Sequence, residues 1–555
     1  MMKLVECVPN FSEGRDAAVI EAISDAIKSI SGVALLDVDP GKATNRTVYT
    51  FAGAPDDVVE AAFQAIKKGT SLIDMRKHKG EHARQGACDV CPFVPISDVT
   101  MAECVALSNR LAKRVGDELG IPVYLYAEAA KVPERKRLPD IRSGEYEALE
   151  EKLKKPEWKP DFGPAKFNPS AGATVIGARN FLIAYNINLN TKNVKLAKDI
   201  AFEIRESGKL KRDENGNKIL GPDGVALREP GIFKNLQGTG WIIPEYGRAQ
   251  ITLNILDTET TPVHLVYDKC CELAEKLGCR VTGSEVVGMI PRKVLRDAGI
   301  YFLKKQGSTT GISDDGIIHN GIISLGLSDI APFDSKQKII EERFVNEKPL
   351  LSMTLEAFAK ELSSNSPAPG GGSIAALAGA MSAGLTSMVA ALSFEKKGLE
   401  ALKPEMEEIG CEAQKIMNSQ LSSIDDDTSA FNAIMDAMRM PKESDEQKSL
   451  RKAAITEATK RATLEPFRVL ERSVPSLELA ARVAKKGNQS SLSDAGVAAL
   501  MAHSAAIGAY YNVLINLSGI DDKKWCDDVK SRATDLLKKA DDLASKIREG
   551  MMDKL

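Results

Sequence analysis

The sequence predicts a mixed α/β body over roughly the first 345 residues and an all-α body after it. Three observations carry this. Short β-rich runs alternate with helix-patterned segments up to about residue 345. Beyond about residue 350 the β signals vanish and helix follows helix to the end. The two textures meet in the charged segment "APFDSKQKIIEERFVNEKPLL", where the boundary is placed. A change from interleaved strands and helices to helices alone marks separately packed units.

At 555 residues the chain exceeds the ~250–300 residues at which a single core stops growing, so several domains are expected. A hydrophobic content of 43% and a charged content of 27% are ordinary for a globular protein. The 74 basic residues face 77 acidic ones, for a formal net charge of −3. The basic excess of a nucleic-acid binder is absent, so no such partner is expected. The nine cysteines are scattered, and only Cys88 and Cys91 stand at C-x-x-C spacing. No second pair completes a zinc site. Two ordinary thiols in a reducing cytoplasm are expected, with a redox dithiol as the competing reading. The N-terminal "MMKLVECVPNFSEG" has no apolar h-region, so no signal peptide is indicated. Two windows, 374–394 and 497–517, each run 21 residues without a charge and match a bilayer in length. The first is dominated by Ala, Gly and Ser, and the second contains His503, Asn512 and Asn516. Neither has flanking basic clusters or aromatic belts, so both are expected to be buried bundle helices with no membrane insertion.

In the first part, "GVALLDVDP", "TNRTVYTFAG", "IPVYLYAEAA", "NFLIAYNINLN" and "AQITLNILD" read as strands. Helical patterns such as "DAAVIEAISDAIKSI" and "PDDVVEAAFQAIKKG" lie between them, which predicts an α/β sandwich. Asp37 and Asp39 end an apolar run, and they either orient a substrate amine or form a turn. The stretch 212–231, rich in Gly, Asp, Asn and Pro, reads as a surface hairpin or loop insertion.

Two of the five histidines fall in His78-Lys79-Gly80-Glu81-His82, an H-x-x-E-H match to a zinc-protease signature. Zinc proteases need both histidines on one helix face, and Gly80 costs a helix interior about 1 kcal/mol. The surrounding "DMRKHKGEHARQGACDVCPFVP" shows no apolar 3.6 periodicity and reads as a loop. Surface histidines and a proton-transfer histidine tuned near neutral pH both fit such a loop. Arg84 is either a carboxylate anchor or a solvated charge. "GPAKFNPSAGA" has no phosphate-loop spacing and by itself reads as a turn.

The segments "LVECVPNFSEGRD", "LLDVDPG", "TNRTVYTFAG", "LIDMRKHKGEHARQGACDVCPFVP", "PVYLYAEAA", "PDFGPAKFNPSAGATVIGARNFLIAYNINLNT" and "GSEVVGMIP" closely resemble the transferase half of the formimidoyltransferase-cyclodeaminase family, in the same order and over essentially residues 1–340. The resemblance implies two α/β subdomains that divide near residue 181. It implies transfer of a formimino group from N-formimino-L-glutamate to N5 of tetrahydrofolate. It places the catalytic histidine on His82 in "GEHARQGA". It places folate binding on Gly163, Pro164, Ala165, Lys166, Phe167, Asn168, Pro169, Ser170, Ala171 and Gly172. One imidazole with an ordinary pKa of about 6.5 can take the proton from N5 and return it to the departing glutamate nitrogen, with no metal required. His78 is then expected to be structural or supporting.

In the second part the helical patterns run over 355–363, 373–393, 403–438, 446–473, 476–486, 493–517 and 522–549. In the 403–438 helix, Ile409, Ala413, Ile416, Ile424, Phe431, Met435 and Met438 form one apolar stripe. Asp427 fills the gap between Ile424 and Phe431 on that face, while Asp425 and Asp426 turn away by about 100° and 200°. A buried carboxyl with a raised pKa is a candidate acid or base; a hydrogen-bonded structural Asp, or Thr428 in the inward place, are the alternatives. Three glycines in "SPAPGGGS" precede the Ala-rich helix and either hold an anion or form a flexible cap.

"SNSPAPGGGSIAALAGAMSAGLTSMVAAL", "IDDDTSAFNAIMDAMRMPK", "GNQSSLSDAGVAALMA" and "GAYYNVLINL" resemble the cyclodeaminase domain of the same family and bacterial methenyltetrahydrofolate cyclohydrolases, over about 353–555. The resemblance maps the catalytic aspartate onto Asp427 and leaves Asp494 as folate-pocket lining. It implies closure of 5-formimino-tetrahydrofolate to 5,10-methenyl-tetrahydrofolate with release of ammonia. It also implies a homo-oligomer, in the family a ring-shaped octamer built from dimers, and polyglutamylated tetrahydrofolate as cosubstrate. The expected division is 1–181 and 182–337 for the transferase subdomains, 338–352 for the linker and 353–555 for the helical domain. Two alternatives stand beside this expectation: a transferase fused to a methenyltetrahydrofolate cyclohydrolase, and a catalytically silent folate-binding scaffold.

Overall fold

Where β-branched and aromatic residues cluster, the chain forms strands, and where apolar residues recur every three or four positions it forms helices. The computed structural model describes all residues except 1, 2, 43, 81, 82, 223, 244, 245, 345–348, 367, 553 and 555. The chain divides into two compact units: Met1–Ala298 with Ile322–Val345, and Gly299–Gly321 with Asn346–Leu555.

The first unit opens with strands β1 (Leu4–Cys7), β2 (Asn10–Phe11), β3 (Val33–Gly41), β4 (Arg46–Gly53), β5 (Cys88–Ser97), β6 (Val123–Ala127) and β7 (Thr174–Ala178). They form one sheet in the order β1-β4-β2-β5-β7-β6, with β3 on β4 and a further β1–β5 pairing. The β5–β7 and β6–β7 pairings are parallel, and the others are antiparallel. Helices α1 (Ala17–Lys28), α2 (Pro55–Leu72) and α3 (Met101–Leu119) share one core with this sheet. In α2, Pro55 starts the helix, Asp56 and Asp57 complement its positive end, and Val58, Val59, Ala62, Phe63 and Ile66 are buried at helical spacing. Cys7, Cys88 and Cys91 lie in this core as free thiols, and Cys7 Sγ is 3.4 Å from Cys91 Sγ. Burial pushes the Cys7 and Cys88 thiols up, away from the reactive thiolate. A second, smaller core joins Tyr124, Tyr126 and Val175 to Ile141 of α4 (Leu138–Ile141) and to Leu149 and Leu153 of α5 (Leu149–Leu153). Asp37 and Asp39 are exposed within β3, so the expected turn lies further on, because β3 keeps its pairing with β4 as far as Gly41.

A four-stranded antiparallel sheet follows, in the order β11-β12-β8-β13. It is built from β8 (Ile183–Leu189), β11 (Leu236–Ile243), β12 (Arg248–Ile255) and β13 (Val281–Val287). Helices α6 (Val194–Ile204) and α7 (Val263–Lys276) bury apolar stripes, Ala197, Ile200, Ala201 and Ile204 in the first. Between them β9 (Lys209–Leu210) and β10 (Arg228–Glu229) pair at the base of an exposed hairpin, as the composition of 212–231 predicts. The division between the two units falls within α8 (Arg292–Lys305) and α9 (Asp314–Ser324), and α10 (Ser335–Lys338) follows.

The second unit is helical: α11 (Leu355–Leu362), α12 (Gly371–Phe394), α13 (Lys403–Arg439), α14 (Asp445–Lys486), α15 (Leu492–Leu517) and α16 (Lys523–Met552). Ala, Val and Leu side chains fill its core, and small residues on α12 and α15 let the helices approach closely. Two helical windows are long and apolar enough to cross a membrane. Sequence texture suggests separate helices over 446–473 and 476–486, yet α14 runs through both Pro466 and Pro475. A proline frees the carbonyl four residues back. For Pro466 that carbonyl is Ala462 O, and Asn516 Nδ2 of α15 donates to it at 2.9 Å. The 403–438 stripe holds through Ile409, Ala413, Ile416 and Ile424 and then fails, because Ala430 and Ala437 take the inward places while Met435 and Met438 are exposed. The strap around Thr309–Gly311 also belongs to this unit. Glu407 accepts from Thr309 Oγ1 at 2.5 Å, from Thr310 N at 3.0 Å and from the Thr310 hydroxyl, and Gly311 lies backbone to backbone against Gly410.

Candidate active sites

Three segments converge in the first unit: the loop after α2, the stretch 141–147, and the stretch 163–173. Met75 N donates to Ser170 O at 2.9 Å, Ala87 N to Ala171 O at 2.8 Å and Ala173 N to Gln85 O at 3.1 Å. Gly86 and Gly172 form an isolated bridge. Gly172 has φ +69°, and a Cβ there would lie 2.2 Å from Gln85 O, so both conformation and space require glycine. Tyr146 N donates to Arg84 O at 2.9 Å, Tyr146 Oη donates to Pro169 O at 2.6 Å, and the Tyr146 and Phe167 rings sit 5.5 Å apart. Gly163, Pro164, Ala165 and Lys166 are exposed, whereas Ala171 and Gly172 are buried where the bridge forms. The loop is thus pinned by backbone bonds and keeps its tip accessible. His82 and Glu81 lie outside the described residues.

Arg84 Nη1 donates to Glu145 at 2.9 Å and to Glu147 at 2.8 Å, and Nη2 donates to Glu147 at 2.7 Å. Its Nε donates to His78 Nδ1 at 3.2 Å. Arg84 is therefore a tether of the loop, with its guanidinium committed to internal acceptors; neither expectation, substrate anchor or solvated charge, describes it. An arginine Nε–H only donates, so His78 Nδ1 accepts and Nε2–H donates to Asn45 O at 2.8 Å. Both His78 nitrogens are thus engaged, which leaves no lone pair for zinc. Residues 78–80 are in a loop, as the glycine and the missing periodicity predict.

In the second unit Asp427 reaches the N-terminus of α12. Its Oδ2 accepts from Ser373 Oγ at 3.1 Å. Burial raises its carboxyl above the ordinary carboxylate value; the Ser373 hydroxyl and amide hold it down in part, and the Glu465 charge adds to the rise. A Cβ on Gly372 would lie 2.1 Å from Asp427 Oδ1, so the missing side chain is the slot the carboxyl fills. The group that takes the place "GGGS" opens at this helix end is thus the chain's own Asp427 carboxyl. Thr428 Oγ1 is also buried, with no hydrogen-bond partner among the described residues. Asn512 of α15 approaches from the side, its Nδ2 3.2 Å from where a Gly371 Cβ would stand. Asp426 is exposed as the helical period predicts. Asp425 is not: it is buried, and it accepts from Leu350 N at 3.1 Å and Leu351 N at 3.3 Å, because the chain entering the bundle crosses that face.

Glu465 is the residue that the periodicity misses. It is buried, pairs with Arg468 at 2.5 Å, and lines a cavity of about 440 Å³ with Lys460, Arg461 and Trp525. A carboxylate directly before a mid-helix proline was its only sign. Asp494 sits in the first turn of α15, 18 residues and so about 27 Å along the helix from Asn512. The structure does not bring it to Asp427. Among the described residues no three His, Cys, Asp or Glu side chains group as metal ligands.

Three family models match the chain: the formiminotransferase domain, N-terminal subdomain, over residues 4–179, the formiminotransferase domain over 184–345, and formiminotransferase-cyclodeaminase over 354–535. A formimidoyltransferase-cyclodeaminase of Gallus gallus is 43% identical over 543 residues, covering 97% of each chain. One of Dictyostelium discoideum is 44% identical over 555 residues, covering 99% of each. A glutamate formimidoyltransferase of Streptococcus pyogenes serotype M1 is 41% identical over 306 residues, 55% of this chain and 95% of its own. With a transferase domain pair followed by a cyclodeaminase domain, each matched in order along its length, this chain belongs to the formimidoyltransferase-cyclodeaminase family.

Proposed function

We propose that the chain performs two consecutive reactions on one folate. In the first, N5 of tetrahydrofolate attacks the formimino carbon of N-formimino-L-glutamate and the bond from that carbon to the glutamate nitrogen breaks. His82 takes the proton from N5 and gives one to the departing nitrogen. The folate lies along Gly163–Gly172, whose exposed tip and pinned base suit a loop that grips a ligand. In the second, N10 attacks the same carbon and the ring closes to 5,10-methenyl-tetrahydrofolate. The proton of N10 and one from Asp427 end on the nitrogen that leaves as ammonia.

The observation that carries the reading is the Asp427 carboxyl, half-buried at the α12 N-terminus and raised above its ordinary value. A carboxyl must hold its proton to act as an acid, and the direction in which burial moves Asp427 favours that form. The transferase runs over 1–181 and 182–337, the linker over 338–352 and the helical domain over 353–555. The cosubstrate is polyglutamylated, the compartment is the cytoplasm, and neither long apolar helix inserts into a membrane. The free thiols support the compartment, and the packing of α12 in the bundle supports its place in a soluble core. Self-association suits the apolar residues left exposed on α12 (Met381, Met388, Leu392) and α15 (Val497, Leu500, Tyr511, Ile515).

The test offers formiminoglutamate and tetrahydrofolate to wild type, His82→Ala and Asp427→Ala. The first variant loses glutamate release. The second keeps it and releases no ammonia; ammonia at the wild-type rate from that variant would refute the role of Asp427.

A further inference from the structure

Alternation gives the four-stranded sheet an apolar face, with Ile187 and Ile251 fully buried, and a polar one. Cross-strand register sorts the polar face into rows. One row holds Trp241, Gln250 and Asn188 and ends at Gly283; the next holds Thr239, Thr252, Asn186 and Glu285. The first row satisfies itself. Trp241 Nε1 donates to Gln250 Oε1 at 3.0 Å, Gln250 Nε2 to Asn188 Oδ1 at 2.8 Å, and Asn188 Nδ2 to Asp329 Oδ2 at 3.1 Å. Asp329 fills the space over Gly283, where a Cβ would lie 2.3 Å from its own Cβ, and also accepts from Arg248 at 2.7 Å. Gln250 and Asn188 can therefore be fully buried at little cost.

The second row is left open. Asn186 is 6% exposed, yet its amide has no hydrogen-bond partner among the described residues and still reaches solvent. Glu285, half-buried, receives only a long contact of 3.4 Å from Gln250 Nε2, so one carboxylate oxygen stays unused. Thr239 and Trp241 are exposed at the rim of the face, so the row is approachable from outside. Withdrawn polar groups of this kind are costly unless a partner completes them. Register partners hold their Cβ atoms about 5 Å apart, so Glu285 and Asn186 present one edge: two acceptor oxygens beside an amide N–H donor. The matching edge is flat and reads donor, donor, acceptor. The 2-amino-4-oxopyrimidine ring of a pterin has it, with the 2-amino group and N3–H toward the carboxylate and O4 toward the amide. The formimino-bearing glutamate fits poorly, because its own carboxylates would meet Glu285 while Arg248 is committed to Asp329.

We infer that Glu285 and Asn186 hold the pterin edge of tetrahydrofolate on this sheet face and so select the acceptor of the transferase unit. The inference rests on the transfer reaction proposed above. Glu285→Gln, which loses the charge and one acceptor, is expected to raise KM for tetrahydrofolate about 100-fold, and Asn186→Ala about 10-fold. KM for formiminoglutamate stays as in wild type, which reports an intact transferase unit, and so does ammonia release from pre-formed 5-formimino-tetrahydrofolate. Thermal unfolding separates ring from tail. A methyl-tetrahydropterin, the ring without the p-aminobenzoylglutamate tail, delays unfolding of wild type and leaves Glu285→Gln unmoved. p-Aminobenzoylglutamate, the tail without the ring, moves both proteins alike. A rise confined to the formiminoglutamate KM, no rise in either, or a Glu285→Gln variant that loses the tail response and keeps the ring response would overturn the assignment while the transfer reaction stood. A wild type that binds the tetrahydropterin through Glu285 but transfers nothing would instead overturn the functional reading and leave the pterin site in place.

Discussion

The two halves of this chain build their sites in opposite ways. In the α/β unit the groups lie on loops, pinned by many ties: three backbone hydrogen bonds between 75–87 and 170–173, the Arg84 fork, and the His78–Asn45 bond. In the helical unit one carboxyl from α13 fits a slot made by one missing side chain on α12. Loops need redundant ties because their backbone is free to move. Packed helices hold their positions through the core, and a single atom then decides the site.

The largest expected effect tests this difference directly. Gly372→Ala places a methyl on the Asp427 carboxyl, and ammonia release falls on the order of 1,000-fold, about 4 kcal/mol, while formimino transfer is unchanged. A loss shared by both activities, read side by side on one preparation, would break the comparison. Next, each half buries an acid, but Glu6 faces only the attraction of Arg179 whereas Asp427 has a helix end. The Glu6 carboxyl rises from 4.5 to about 7, so the folded state binds its proton more tightly than the unfolded state. That contribution is fully present below about pH 4.5 and is lost as pH rises through 7. Glu6→Gln therefore stabilises the α/β unit by about 3 kcal/mol at pH 8 and by nothing near pH 4, as denaturant unfolding at the two pH values would record. Third, Asn516→Ala strands the Ala462 carbonyl that Pro466 has freed and costs about 2 kcal/mol, seen as a lower unfolding midpoint of the helical unit. Smallest is Ser373→Ala. Its hydroxyl holds the Asp427 carboxyl down, so removing it moves the high-pH fall of deamination upward, as a pH profile of ammonia release would record.

Much of this was legible from residues alone. The texture change and the 212–231 hairpin each follow from period and composition. Asp427 could be picked from its neighbours because helical spacing is local. What joined Asp427 to Gly372 was not legible, since the two lie on different helices and only packing brings them together. For the same reason Arg84 reads as a free cation until Glu145 and Glu147 are placed beside it. At Pro466, α14 runs on with a donor from α15 that no window of sequence contains. Asp425 defied the period because a chain segment outside the helix covers its face.

The strap at Thr309–Gly311 bears on any attempt to take the two activities apart. A gene cut at 338–352 would yield a helical fragment missing Gly299–Gly321. Glu407 would then meet water in place of two threonines, and the patch on Gly410 that Gly311 covers would lie bare. Dissecting this enzyme calls for a fragment that keeps those residues, supplied in cis or as an added peptide, since the cleanest seam in the sequence is not the seam in the packing.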